Sequence, residues 1–266
     1  MTIAAPFFSV IVPTHLRPTL LRRSLQSLRA QSFQGFEIIV IDDAGSLDSA
    51  LAAAGFLRPE DSFIKRGGRS GPATSRNVGL DMARGEWVVF LDDDDCFAPH
   101  HLAAVHACIQ TSRSPVLFTD CEVVTEDRSQ PDVPQLSRQL VALGHMDVNS
   151  LWVKNFIPPH ALAYRRSLLE GCRVDPYMAS LEDWEFLLSV CERAMPQYYA
   201  GGGVIQHVDN VNHGNRRSTQ EVAMNNVVIL DYLYAYRRRP APTQELKVKR
   251  WELLKSVGID LPVEWF

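Results

Sequence analysis

The sequence predicts an α/β fold, in which helices flank a mostly parallel sheet, and three observations support this. Strand-like apolar runs alternate with helical stripes through the N-terminal half. Such βαβ alternation is typical of parallel sheets that are covered on both faces. The apolar run 87–91 ends directly in four aspartates, residues 92–95. A buried strand that ends in charge indicates the rim of a sheet, where open α/β folds bind ligands.

The elements of this sheet can be placed in order along the chain. Apolar runs predict strands at 7–12, 36–41, 87–91 and 115–119. Between the first two strands, Leu20, Leu21, Ser24, Leu25 and Leu28 recur at helical spacing. Pro72 suits the first position of a second helix, and 101–111 predicts a third.

The second half of the chain is less regular. Prolines interrupt residues 126–160, which therefore predict a loop-rich segment over the rim. Helical spacing returns after Glu182, again from residue 219 to 239, and around 245–256. We expect one domain over 1–215, with halves 1–120 and 121–215, and a helical extension over 216–266.

Composition excludes several classes of protein. The chain has 266 residues, of which 46% are apolar and 22% charged, as in ordinary globular proteins. Its net charge of -4 argues against nucleic-acid binding. The five scattered cysteines indicate neither a disulfide framework nor a cysteine metal site. With no visible secretion signal and no membrane-spanning run, we expect a cytoplasmic location.

The predicted rim carries the chemistry. Four adjacent carboxylates repel one another unless a cation lies among them, and oxygen ligands select hard ions such as Mg²⁺ or Mn²⁺. Parallel strands place their carboxyl ends on one side, so Pro13-Thr14-His15 and Asp42-Asp43 should converge on Asp92–Asp95. The rim therefore predicts a divalent metal that holds phosphate; an acidic turn in water is the alternative.

Several segments in this order resemble family 2 glycosyltransferases with the GT-A fold. They are Ser9–Thr14, Glu37–Asp43, Gly71–Gly79, Gly85–Asp95, Tyr164–Leu169 and Leu181–Trp184, and the resemblance covers residues 7 to about 195. It implies transfer of a sugar, with inversion, from a nucleoside diphosphate sugar to a hydroxyl. A UDP-sugar donor is favoured, the acceptor would be a saccharide or a lipid-linked sugar, and Mn²⁺ or Mg²⁺ would neutralise the diphosphate.

The resemblance also implies residue roles. Asp94 would be the direct metal ligand, with Asp92 and His207 completing the set. Asp183 would be the general base, with Glu182 as the fallback. The donor nucleotide would contact Pro13, Thr14, His15, Asp42, Asp43, Arg76, Asp92 and Asp93. Structural alternatives remain for several of them: helix capping for Asp183, solvated rim charge for Asp93 and Asp95, a surface position for Arg76, and plain loop positions for His15 and His207.

Other interpretations stay open at this point. A sugar nucleotidyltransferase usually has a glycine-rich loop after its first strand, and 13–18 has no glycine, which argues against that class. A non-catalytic nucleotide-sugar-binding relative remains an alternative. Arg216, Arg217 and Ser218 could close over the diphosphate, and His213 is a second histidine near the presumed metal.

The C-terminal segment and the assembly are less constrained by the sequence. Three tyrosines and the arginines 237–239 are compatible with contact to a membrane surface, although packing on the catalytic domain is the simpler interpretation. A homo-oligomer is also compatible with the sequence.

Overall fold

A computed structural model describes residues 5–67, 71–130, 132–210 and 226–266, the last range without the side chain of Asn226. Two sheets form its framework. The strands are β1 (Phe8–Thr14), β2 (Phe36–Asp42), β3 (Ser62–Lys65), β4 (Trp87–Phe90), β5 (Cys96–Phe97), β6 (Val116–Phe118), β7 (Cys121–Glu126), β8 (Gln135–Val141), β9 (Leu162–Arg165), β10 (Gln197–Tyr198) and β11 (Val204–Asp209). The helices are α1 (Pro18–Arg29), α2 (Leu47–Ala54), α3 (Pro72–Met82), α4 (His101–Thr111), α5 (Glu182–Cys191), α6 (Asn226–Arg238) and α7 (Gln244–Lys255).

The larger sheet has the order β10-β6-β9-β4-β1-β2-β3. Strands β1 to β4 are parallel to one another, while β9 runs antiparallel between β4 and β6. The smaller sheet has the order β5-β11-β7-β8. The predicted α/β class with a mostly parallel sheet and flanking helices is therefore confirmed.

Burial explains why the central strands were predictable. Every residue of β1, β2 and β4 is buried, so each appears in the sequence as a continuous apolar run. In α1 the buried residues are Leu21, Ser24, Leu25 and Leu28, which are four of the five predicted stripe positions. Helix α3 begins at Pro72 and α4 spans the predicted residues.

The segment 126–160, predicted to be loop-rich, contains one strand that was not predicted. Residues 135–141 form β8, which pairs antiparallel with β7. All seven residues of β8 are exposed, so no alternation of buried and exposed positions marks this edge strand in the sequence. Helix α2 and strand β3, which are short, were also not predicted from the sequence.

The C-terminal helices pack against the domain rather than standing apart. The Trp184 ring lies 5.1 Å from that of Tyr232 and 5.8 Å from that of Tyr236, all three being buried. Arg239 pairs with Glu185 at 2.8 Å. Most of the aromatic and basic stretch therefore packs against the rest of the domain, in agreement with the interpretation that it packs on the catalytic domain rather than contacting a membrane. Among the described residues, no helix has the length and hydropathy needed to cross a membrane.

Candidate active site

Three parallel strands bring their carboxyl ends to one rim. The register that pairs Thr14 with Asp42 places the ends of β1 and β2 side by side, and β4 lies on the other side of β1. The Thr14 hydroxyl donates a 2.7 Å hydrogen bond to Asp93, which joins the end of β1 to the acidic run after β4. The structure therefore brings together the side chains that strand order alone had placed on this rim.

Arg76 links the acidic run to the start of α5. Its guanidinium donates to Asp92 at 2.9 Å and contacts Glu182 at 3.3 Å. Burial alone would lower the pKa of Arg76, but Asp92, Glu182 and Asp183 outweigh burial and raise it. A buried, permanently charged group thus connects the predicted metal side of the site to the predicted base, so Arg76 is not a surface arginine.

Asp183 lies half-buried in the first turn of α5. Burial, followed by the neighbouring Glu182, raises its pKa to about 6, and Arg76 partly opposes the rise. One of its oxygens accepts a 2.7 Å hydrogen bond from the backbone N–H of Trp184. A carboxylate of this pKa is mostly ionised at neutral pH and is a stronger base than an exposed aspartate.

Asp93 and Asp94 are buried and face arginines. Arg17 lies 3.3 Å from each of the two carboxylates. Asp94 also pairs with Arg128 at 3.1 Å. Burial raises the pKa of Asp93 to about 7, against the opposing effects of Arg17 and Thr14. The alternative of a solvated rim charge is wrong for Asp93 and equally for Asp95, because both side chains are buried.

His207 lies on β11 behind the acidic run. Its backbone N–H donates to Asp95 at 2.7 Å, and its carbonyl accepts from Arg128 at 3.1 Å. Its Nδ1 atom is buried and has no hydrogen-bond partner in the described part of the chain. Burial and then Arg23 lower the pKa of His207 to about 4, so its ring is neutral at pH 7 and has a nitrogen lone pair for a metal.

A second group of potential metal ligands includes a histidine that the sequence analysis missed. One ligand atom each of Asp92, Asp95 and His160 lie within 4.8 Å of one another. His160 contacts Asp95 at 3.2 Å. Because β9 runs antiparallel to β4, the residues just before β9 reach the rim where β4 ends. His160 lies inside the segment interpreted as a loop, and only this strand direction could have placed it at the site.

The part of the rim predicted to contact the nucleotide centres on Asp43. Its carboxylate contacts His15 at 2.5 Å, accepts from the Gly71 N–H at 2.7 Å, and lies 3.6 Å from Arg66. Arg66 follows β3, a strand that the sequence analysis did not identify. The neighbouring Asp42 is fully buried, and its Oδ2 atom has no hydrogen-bond partner among the described residues.

The remaining predicted residues have simpler surroundings. Pro13 is buried within β1, whereas the His15 side chain is about half exposed. His213, Arg216, Arg217 and Ser218 lie outside the described residues. Glu126, a further residue that sequence reasoning missed, binds Arg23 and Arg128 at 2.7 Å each and so holds both arginines beside Asp94.

Comparison with known proteins agrees with this geometry. The family model described as glycosyl transferase family 2 matches residues 9–172. An uncharacterized glycosyltransferase of Haemophilus influenzae is 29% identical over 191 residues, which cover 69% of this chain and 62% of that protein. A PGL/p-HBAD biosynthesis glycosyltransferase of Mycobacterium bovis is 32% identical over 190 residues, 69% of either chain. This chain thus spans less than two thirds of the Haemophilus relative.

A solved structure shows the same fold. The crystal structure of S. aureus TarS in complex with UDP-GlcNAc superimposes with a TM-score of 0.68 at 22% sequence identity. The superposition covers 93% of this chain and 71% of the TarS chain. At this identity the likeness concerns the fold, which is that of the GT-A glycosyltransferases. The sequence match, the fold and the acidic rim together place this chain in glycosyl transferase family 2.

Proposed function

We propose that this chain transfers a sugar, with inversion, from a nucleoside diphosphate sugar to a hydroxyl of a saccharide or lipid-linked acceptor. A UDP-sugar is the favoured donor. Mn²⁺ or Mg²⁺ would bind the diphosphate, and Asp183 would act as the general base.

The link through Arg76 is the observation that carries this proposal. A metal-binding rim and a base serve glycosyl transfer only if both face the same reacting centre. Arg76 binds Asp92 of the rim at 2.9 Å and Glu182, beside the proposed base, at 3.3 Å. The proposed metal-binding residues and the proposed base are therefore both close to the same arginine side chain. An acidic turn in water would need no such buried connection.

The residues present fit a divalent metal. Asp94 and Asp92 offer carboxylate oxygens, and His207, whose buried Nδ1 has no hydrogen-bond partner among the described residues, lies near enough to Asp94 for the carboxylate to affect its pKa. The described residues whose ligand atoms lie within 4.8 Å of one another are, however, Asp92, Asp95 and His160. A bound divalent ion would neutralise charge on the departing diphosphate. Arg17 and Arg128 hold the Asp94 carboxylate at 3.3 and 3.1 Å, so that this ligand is oriented before donor binds. Asp95 and His160 supply an alternative set together with Asp92.

The remaining rim residues suit the nucleotide. The unused Oδ2 of Asp42 can accept a hydrogen bond from a base N–H, which uracil offers. Asp43 is held by the Gly71 N–H at 2.7 Å, so the start of α3 is fixed beside it. TarS, whose fold this chain shares, was crystallised with UDP-GlcNAc, and this supports a UDP-sugar as the first donor to test.

The alternatives weaken on this geometry. A non-catalytic relative would not need a base whose pKa is raised to about 6 next to a buried arginine. A sugar nucleotidyltransferase would need phosphate-binding backbone in the loop after β1, and the sequence of that loop contains no glycine.

A thermal-shift screen of UDP, GDP, dTDP and CMP, each with Mn²⁺ and with EDTA, tests the donor site. We expect UDP with Mn²⁺ to raise the melting temperature, because ligands that bind only the native state stabilise it. Asp94→Asn should abolish the shift, whereas Asp81→Asn, which alters an exposed carboxylate on α3, should leave it unchanged. No shift with any nucleotide would contradict the proposed function.

A further inference from the structure

Helix α6 contacts the loop that leads into the predicted base. One carboxylate oxygen of Asp231 accepts two hydrogen bonds from Ser180, from its backbone N–H at 2.6 Å and from its hydroxyl at 2.7 Å. Both residues are buried. Ser180 precedes Asp183 by three residues, and Asp231 lies 51 positions after Ser180. All three residues come after residue 172, where the match to the family model ends.

The residue after Ser180 has an unusual backbone conformation. Leu181 has φ +60° and ψ +15°, which is the left-handed region that residues other than glycine seldom adopt. Such a conformation persists where surrounding contacts over-determine it. The Asp231 clamp lies on one side of Leu181 and the start of α5, with Glu182 and Asp183, on the other.

Helix α6 is held against α5 by several contacts. Tyr232, next to Asp231, packs on the indole of Trp184 at 5.1 Å between ring centres. One turn later, Tyr236 packs on the same indole and donates to the carbonyl of Val153 at 2.6 Å. Arg239 then binds Glu185 of α5 at 2.8 Å. The clamp therefore joins the loop to a helix that is itself fixed to α5.

We propose that Asp231 is a positioning residue for glycosyl transfer, which acts through Ser180 and Leu181 on the carboxylate of Asp183. The inference rests on the proposed function, because it takes Asp183 to be the base. It assigns the C-terminal helices a part in the active site, which is to orient the proposed base.

Asp231→Ala tests the clamp by removing both hydrogen bonds at a helical position that alanine favours. Misplacing a reacting group by about 1 Å can reduce the rate about 100-fold, so we expect kcat to fall about 10- to 100-fold. The KM for the donor and the thermal shift with UDP and Mn²⁺ should stay unchanged, since the rim is untouched. Ser180→Ala, which removes one bond of the two, should give a smaller fall in kcat.

Two further variants sharpen the result. Asp231→Asn keeps an acceptor oxygen for Ser180 and should restore most of the kcat that Asp231→Ala loses. Tyr234→Phe removes a different hydrogen bond between α6 and the same loop, from the tyrosine hydroxyl to Asp175 at 2.7 Å, without reaching Ser180. This control should keep a wild-type kcat.

The outcomes separate the inference from the proposed function. A wild-type kcat in both Asp231→Ala and Ser180→Ala overturns the inference, as does an equal fall in kcat for Tyr234→Phe. If Asp231→Ala does not fold, Ser180→Ala decides alone by the same kcat readout. Failure of the proposed function looks different: the wild-type enzyme would then transfer no sugar, or Asp183→Asn would transfer it normally.

Discussion

Burial raises the pKa of two carboxyl groups in the site, Asp93 and Asp183, but the two groups have different hydrogen-bonding partners. Asp93 has a pKa of about 7 and is held by the Thr14 hydroxyl at 2.7 Å and by Arg17 at 3.3 Å. Asp183 has a pKa of about 6, and the hydrogen bond it accepts comes from the adjacent N–H of Trp184. Asp93 is thus fixed within the rim, whereas Asp183 has a second oxygen with which it could serve as the proposed base.

The pKa of Asp183 predicts the pH dependence of the reaction. If Asp183 is the base, as we propose, it must be ionised to accept the proton, so kcat should be level above pH about 6 and fall about tenfold per pH unit below it. Initial rates at saturating donor and acceptor, measured across this range, check the prediction. A kcat that stays level well below pH 6 would show that another group accepts the proton.

Asp183→Asn serves as the companion variant for this profile. A carboxyl pKa raised above its ordinary value means that the folded state binds the proton more tightly than the unfolded state. The wild-type protein therefore loses stability as the pH rises from about 4 through about 6, and the neutral amide escapes that loss. We expect the variant to lose transfer activity while its melting temperature at pH about 8 equals or exceeds that of the wild type.

At the scale of elements, the approach of α3 to the sheet sets the distance between Arg76 and the rim. Gly79 lies on the face of α3 that packs on β1. A Cβ added there would lie 2.3 Å from a methyl carbon of Ile11, a buried core residue, so only glycine fits without displacement. The same helix carries Arg76 one turn earlier, and close packing therefore helps to bring its guanidinium to Asp92.

Gly79→Ala tests this packing. Overpacking a core contact destabilises proteins by about 1–3 kcal/mol, and we expect a loss of stability in that range. Urea denaturation followed by tryptophan fluorescence measures it. Gly55→Ala is the matched control, because a Cβ there meets nothing within 4 Å, and its free energy of unfolding should change little. Equal behaviour of the two variants would show that α3 can shift away from β1.

Across the whole molecule, a buried arginine connects the C-terminal helices to the domain. Arg250 of α7 is fully buried and lies 4.2 Å from the centre of the Tyr236 ring. It donates to the carbonyls of Trp152 at 2.6 Å and Arg239 at 2.9 Å. Burial lowers its pKa to about 10, so the side chain remains charged at neutral pH. The described part of the expected extension, residues 226–266, is thus joined to the domain by buried contacts, and we propose that it unfolds together with the domain.

Arg250→Met tests that cooperativity. Leaving buried carbonyls without their donor costs about 1–3 kcal/mol each, so we expect a loss of at least about 2 kcal/mol within a single unfolding transition. Lys249→Ala, which removes an exposed pair with Glu245, should change stability by less than about 0.5 kcal/mol. Circular dichroism and tryptophan fluorescence in urea are the two probes. An early, separate loss of helix would show that α6 and α7 form an independent unit.

The sequence by itself determined the central strands, the helices α1, α3 and α4, and the acidic rim. Burial is visible in the local residue pattern. Strands β1, β2 and β4 are buried throughout and appear as apolar runs, and the buried face of α1 appears as apolar residues at helical spacing. Strand β8 shows no such apolar pattern in the sequence, because all of its residues are exposed. The family segments added candidate roles for Asp94 and Asp183, which periodicity does not encode.

Only the tertiary structure decided which side chains meet. Arg76 and Glu182 are 106 positions apart, and their contact depends on how α3 and α5 pack around the sheet. His160 reaches the rim because β9 runs antiparallel to β4, and Asp231 reaches Ser180 because α6 folds back on α5. Local patterns record whether a residue is buried, whereas contacts between distant residues arise from the packing of the whole chain, and the candidate active site consists mainly of such contacts.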